Sequence, residues 1–159
     1  MQLHPASSPW PKRALAAVLL IVGLAAAGCV APGPSGPPPP PAPGATAAVV
    51  FAESQIGTPY CTAGAGPSCF DCSGLTMRAW QAGGITLPHF SGAQYSMFPA
   101  VPLNQLQPGD LVFPADPAQH VALYIGSGLI VHATHTGDFV RVEPITDAGL
   151  GIVLAVRPH

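Results

Sequence analysis

The chain has 159 residues, 48% of them apolar but only 8% charged, against about 25% charged in an ordinary globular protein; the length fits one domain, two at most. Lys12 and Arg13 lie near the N-terminus, so from residue 30 onward three arginines face all seven acids and the body carries a formal net charge of −4. No basic stripe exists, which argues against nucleic-acid binding by phosphate neutralisation.

Residues 1–29 read as a targeting segment. Lys12-Arg13 is a positive n-region, and ALAAVLLIVGLAAA (14–27) is an unbroken apolar run. That run falls short of the ~20 residues a spanning helix needs but suits a signal sequence. Ala26-Ala27-Gly28-Cys29 resembles a bacterial lipobox, with Cys29 as the lipidated residue, although Ala26 stands where Leu is favoured. Cleavage after Ala27 and an uncleaved anchor stay open as alternatives. All three readings export the chain. Residues 30–44 (VAPGPSGPPPPPAPG) form a Pro-rich spacer, extended because proline cannot donate hydrogen bonds and favours the polyproline conformation.

The rest, 45–159, reads as one small domain. Ala45–Ile56 is a predicted helix, stopped by Gly57-Thr58-Pro59. Cys61–Cys69 is rich in Gly, Pro and Ser and reads as loop. Cys72–Ala82 reads as a second helix, with Leu75, Ala79 and Trp80 as its apolar stripe and Gly83-Gly84 as its stop. Ser91–Phe98 reads as a short third helix. The apolar period then changes to two. Asp110–Phe113, His120–Ile125, Leu129–Thr134, Phe139–Glu143 and Ile152–Val156 read as strands. Helices followed by consecutive antiparallel strands make an α+β domain.

Three residues could carry chemistry. Cys72 opens a helix behind Asp71, a good N-cap. The free N–H groups and positive dipole end there predict a lowered thiol pKa, which a cysteine nucleophile needs. His120 and His132 flank a hairpin whose turn is Gly126-Ser127-Gly128. A three-residue turn centred on Ser127 sets His132 opposite Ala122 and diagonal to His120; a register shifted by two sets the histidines directly opposite. Both arrangements put the rings on one face, within mutual reach, whereas a two-residue loop separates them. One imidazole can then act as base while the other holds its tautomer. The bland alternatives are core residues or zinc ligands, the latter from Cys69, Cys72, His120 and His132. A finger-like site places its histidines three to five residues apart, and eleven residues separate these two.

At these residues the sequence resembles the NlpC-type, papain-like cell-wall peptidases of bacteria. The resemblance rests on Gly57-Thr58-Pro59-Tyr60, FDCSGL (70–75), LPHFSGAQ (87–94), LQPGDLVF (106–113), HVALYIGSGLIVHA (120–133) and VRVEPI (140–145). It implies a papain-like fold, with N-terminal helices packed on an antiparallel sheet. It also implies Cys72 as nucleophile, His120 as base and His132 as the residue that orients it. Tyr60 would contact substrate or oxyanion, and Asp71 and Ser73 would line the substrate cleft. The implied substrate is the peptide stem of peptidoglycan, commonly cut at the D-γ-glutamyl–diaminopimelate bond, by an exported enzyme needing no metal or organic cofactor and acting as a monomer. Membrane attachment would come through the N-terminal lipid or anchor. Two departures bear on substrate preference: Thr62, Ala63 and Gly64 replace an aromatic and a Gly-Gly pair, and His89 stands where Arg is frequent.

Cys61 and Cys69 are additions. A free surface thiol is a liability in an exported protein, so a Cys61–Cys69 bridge with Cys72 reduced is expected. Two free thiols and a Cys69–Cys72 pair remain alternatives. Trp80, Phe113 and Tyr124 read as core, His135 as a possible rim of the cleft, Asp116, Asp138 and Asp147 as loop residues, and Glu53 as part of a solvated helix face.

Overall fold

A computed structural model describes residues 40–159; the targeting segment, Cys29 and the spacer up to residue 39 lie outside the described residues. α1 spans Ala45–Ser54, α2 Cys72–Ala82 and α3 Ser91–Met97; β1 spans Leu111–Phe113, β2 Ala122–Gly126, β3 Leu129–His132, β4 Arg141–Pro144 and β5 Leu154–Val156. The strands form one sheet in the order β4-β3-β2-β1-β5, every neighbour antiparallel. This is the α+β arrangement the sequence predicts. No described helix is long and apolar enough to cross a membrane.

Small residues set the helix packing. Ala45, Ala48 and Ala52 recur at helical spacing and are buried, so α1 lies close on α2. The apolar stripe of α2 is as predicted: Leu75, Ala79 and Trp80 are fully buried. They pack against Leu111, Phe113, Val121, Leu123, Val131 and Val156 on one face of the sheet. The opposite face, carrying Val112, Ala122, Ile130 and Ala155, is covered by Val101, Leu106, Ile145 and Ile152 from the connecting segments. Apolar side chains on both faces are why the strands lack a clean polar alternation.

Several expectations shift. α1 ends at Ser54 rather than Ile56, and a 3-10 turn at Leu103–Gln105 went unpredicted. β2 begins at Ala122, so His120 stands two residues before the strand. Tyr124 is half-buried, its hydroxyl accepting the Gly128 N–H at 3.1 Å. The hairpin register pairs Leu123 with Val131 and Tyr124 with Ile130, as a three-residue turn requires; a bulge then brings Gly126 opposite Leu129. Such an insertion changes register locally. The bulge tightens the turn without altering the register at the histidine end.

Trp80 ties the helices to the sheet. Its indole N–H donates to the Gly109 carbonyl at 3.1 Å, beneath the turn leading into β1. Gly109 has φ +99°, and a Cβ there would sit 2.7 Å from that of Ala45. The next residue, Asp110, is buried and takes Arg157 Nε at 2.7 Å and Nη2 at 2.8 Å, so the same turn anchors the C-terminal strand. Trp80→Phe strands a buried carbonyl, which costs about 1–3 kcal/mol, and opens a void beside it. A fall in the urea midpoint at unchanged slope is the expected result.

Candidate active site

The site is built around the start of α2. Asp71 is extended, and its carboxylate accepts the Gly74 N–H at 2.6 Å, capping the helix so that Cys72 is its first residue. A Cys61–Cys69 disulfide closes the preceding loop, with Cα atoms 5.6 Å apart, and leaves Cys72 a free, half-buried thiol. With Cys69 bonded to Cys61, the four-ligand zinc set proposed from sequence is not assembled. The loop is held to the helix by its backbone: Asp71 N–H donates to the Gly64 carbonyl at 2.9 Å. A Cβ on Gly74 would lie 1.9 Å from that same oxygen, so this close approach requires glycine.

α3 fixes the first turn from the other side. Gln94 is fully buried. Its amide donates to Ser73 O at 3.0 Å and Pro88 O at 2.8 Å, and its oxygen accepts from the Thr76 hydroxyl at 2.8 Å. His89 Nε2 lies 2.9 Å from both Asp71 oxygens. Asp71 therefore caps the helix, pairs with His89 and accepts from Ser73 Oγ at 3.2 Å. Ser73 itself is buried. Tyr60 is half-buried, with its N–H bonded to Asp138 O at 2.8 Å.

The Cys72 thiol is hydrogen-bonded by the backbone N–H of Val121, the residue after His120. This contact brings the sulfur to the entrance of β2. The predicted lowering of its pKa is corrected by the structure. Burial pushes the thiol above its ordinary value and the Asp71 carboxylate reinforces that; the N–H groups of Val121, Ser73 and Cys72 itself oppose it without winning. Desolvation of the charged form outweighs the helix-end field here.

His120 and His132 come together. His120 Nε2 lies 3.2 Å from His132 Nδ1, and the rings meet edge to face with centroids 5.3 Å apart. Both are buried. Burial, then the neighbouring His132, pushes His120 down to about 4. Burial likewise lowers His132, against the opposing pull of Glu143. These shifts favour the neutral form of the thiol and of both imidazoles.

Two residues of this cluster were missed from sequence. Glu143 Oε2 lies 3.0 Å from His132 Nε2. Its other oxygen forms an ion pair with Arg141 Nε at 2.7 Å, without hydrogen-bond alignment. Arg141 also donates to Asp138, which accepts from Thr134 as well, so Asp138 is more than a loop residue. The available signal was period two: Arg141 and Glu143 share one side of the strand that pairs with His132. His135 is exposed and bonds only locally, to Thr136 O at 3.1 Å.

A family model described as NlpC/P60 matches residues 57–152. A probable endopeptidase of Mycobacterium tuberculosis is 47% identical over 104 residues, 65% of this chain and 27% of that relative. The peptidoglycan endopeptidase RipA of the same organism is 40% identical over 111 residues, 61% of this chain and 24% of that one. The chain thus spans about a quarter of the length of these curated relatives. Among solved structures, RipD of M. tuberculosis, described as a non-catalytic NlpC/p60 domain protein adapted to peptidoglycan binding, superposes with a TM-score of 0.64 at 30% identity. That likeness covers 73% of this chain and 98% of RipD.

The lowered histidine sets the acid stability. The folded pKa of His120 is about 4 against 6.5 for a free imidazole, so below pH 6.5 the unfolded chain binds a proton that the folded one refuses. The stability associated with the neutral ring is fully present above pH 6.5 and is lost as pH falls toward 4, about 3 kcal/mol in all. Thermal midpoints of wild type and His120→Gln, measured between pH 4 and 7.5, should show a shallower acid slope in the variant. Parallel slopes would mean that the ring is not buried neutral.

Proposed function

The chain belongs to the NlpC/P60 family, and from that premise and the cleft geometry we propose that it is an exported cysteine endopeptidase acting on peptidoglycan stem peptides. The observation that carries the reading is the meeting of three elements at one point. The free thiol that opens α2 is bonded by the N–H of Val121, and the residue before Val121 is a buried His120 whose Nε2 lies 3.2 Å from His132 Nδ1.

The neutral couple dictates the order of events. His120 takes the thiol proton as sulfur attacks the amide carbonyl, because a free thiolate is disfavoured in so dry a place. A C–S bond forms, and the carbonyl oxygen gains the negative charge. The Cys72 backbone N–H, which as the first residue of α2 donates to no carbonyl of the helix ladder, and Tyr60 are the donors we assign to it. Protonated His120 then gives its proton to the leaving amine as the C–N bond breaks. Water, deprotonated by His120, attacks the thioester; the C–S bond breaks, and the sulfur takes that proton back from His120 to regenerate the thiol. Asp71 and Ser73 shape the floor of the cleft, and His89, paired with Asp71, is our candidate for contacting a stem carboxylate.

We assign the D-γ-glutamyl–diaminopimelate bond as the target, and an envelope location through a lipid on Cys29 with residues 30–44 as spacer. The alternative is a peptidoglycan-binding protein without turnover, the role described for RipD. Retention of the thiol and both histidines favours catalysis.

Incubation with purified muropeptides, read by mass spectrometry, tests both activity and bond. Cys72→Ala should abolish cleavage. His120→Ala should lower the rate by about 10²–10⁴-fold, the usual worth of a general base, and His132→Ala by less. Retained muropeptide affinity with no cleavage by wild type would establish the binding reading instead.

A further inference from the structure

β4 is an edge strand with its polarity inverted. Arg141 and Glu143 point to its half-buried side while Val142 is 37% exposed. An edge strand serving packing alone would bury the valine and expose the charges. The inversion places a carboxylate against a buried histidine ring, Glu143 Oε2 lying 3.0 Å from His132 Nε2.

Resting on the peptidase reading above, we propose that Glu143 is a positioning residue that fixes the tautomers of both histidines in series, leaving Nδ1 of His120 as the nitrogen that takes the Cys72 proton. Donor and acceptor chemistry sets each proton in turn. A carboxylate only accepts, so the 3.0 Å contact with Glu143 Oε2 requires the proton of His132 on Nε2. A neutral imidazole carries one N–H and one lone pair, so His132 Nδ1 is an acceptor. The atom 3.2 Å from it is His120 Nε2, which must donate. Its own lone pair then sits on Nδ1. Reversing the first proton reverses every later one: a donor in place of the carboxylate moves the His132 proton to Nδ1, which pushes the His120 proton to Nδ1 and removes the basic nitrogen from the thiol side.

Arg141 keeps the relay oriented. Its guanidinium occupies Glu143 Oε1 at 2.7 Å, leaving Oε2 for the ring, and Asp138 holds the guanidinium from behind. The charged and titratable groups around His132 are therefore Glu143 and Arg141 from β4, Asp138 from the preceding loop, and His120 from the entrance of β2.

The near-isosteric Glu143→Gln is the decisive variant. With Arg141 drawing the amide oxygen to the Oε1 position, the amide N–H₂ faces His132. Imidazole ¹⁵N NMR of the full chain at pH 7 should find His120 protonated on Nε2 in wild type and on Nδ1 in Glu143→Gln. On muropeptides the variant should lose at least ~10-fold in kcat, less than a full general-base contribution, with KM within twofold. Glu143→Ala, which removes the acceptor, should give mixed tautomers and an intermediate kcat. A wild-type His120 protonated on Nδ1 overturns the proposal, as does a Glu143→Gln protein with wild-type tautomers and kcat. Should a variant fail to fold, the wild-type spectrum alone still decides. The spectrum is also independent of turnover: correct tautomers without muropeptide cleavage would sink the peptidase reading and leave the relay standing.

Discussion

The first turn of α2 is the constraint from which the cleft follows. The Asp71 carboxylate takes the Gly74 N–H, and that single bond decides that the helix starts at Cys72 and not a residue later. A start one residue later would rotate the thiol by about 100° around the helix axis, away from β2. Three other segments reinforce the choice: the disulfide-closed loop through Gly64, α3 through Gln94, and the entrance of β2 through the Val121 N–H. The placement of the Cys72 thiol therefore does not depend on its own helix alone, which is only 11 residues long and marginal in isolation.

The second anchor is the hairpin. Because strand side chains alternate, a register error of one residue would send His132 to the other face. The observed pairing of Leu123 with Val131 prevents this, and the bulge near the turn absorbs the odd residue. Ser127, with φ +53°, then sits in a left-handed conformation that only the turn demands. The irregularity is confined to the tip, and the pairs Leu123–Val131 and Tyr124–Ile130 hold the register toward the base.

Much of this was legible in the sequence because it rests on short-range rules. The helix start at Cys72 follows from Asp71 and the apolar stripe of Leu75, Ala79 and Trp80. The contact between His120 and His132 follows from turn length and parity. What was not legible depends on three-dimensional burial. The thiol's raised pKa reflects how far neighbouring segments exclude water, which no helix-dipole rule supplies. The roles of Glu143 and Arg141 depend on which way an edge strand turns its faces, and the valines of VRVEPI suggest the opposite orientation. The 3-10 turn at Leu103–Gln105 carries no capping signal in sequence, being held by what surrounds it.

The low charge content acquires a physical sense from the site. Burial raises the thiol and lowers both imidazoles, which favours the neutral form of each. In such a place directionality comes from hydrogen-bond polarity rather than from net charge. A chain of neutral rings transmits that polarity only when one end is pinned by a group of fixed character, because each imidazole can donate from either nitrogen. The described chain has such a group at that end, a carboxylate held by an arginine and an aspartate. One charged cluster at the rim of the sheet therefore bears on the hydrogen-bond polarity of two buried rings, His132 directly and His120 through it.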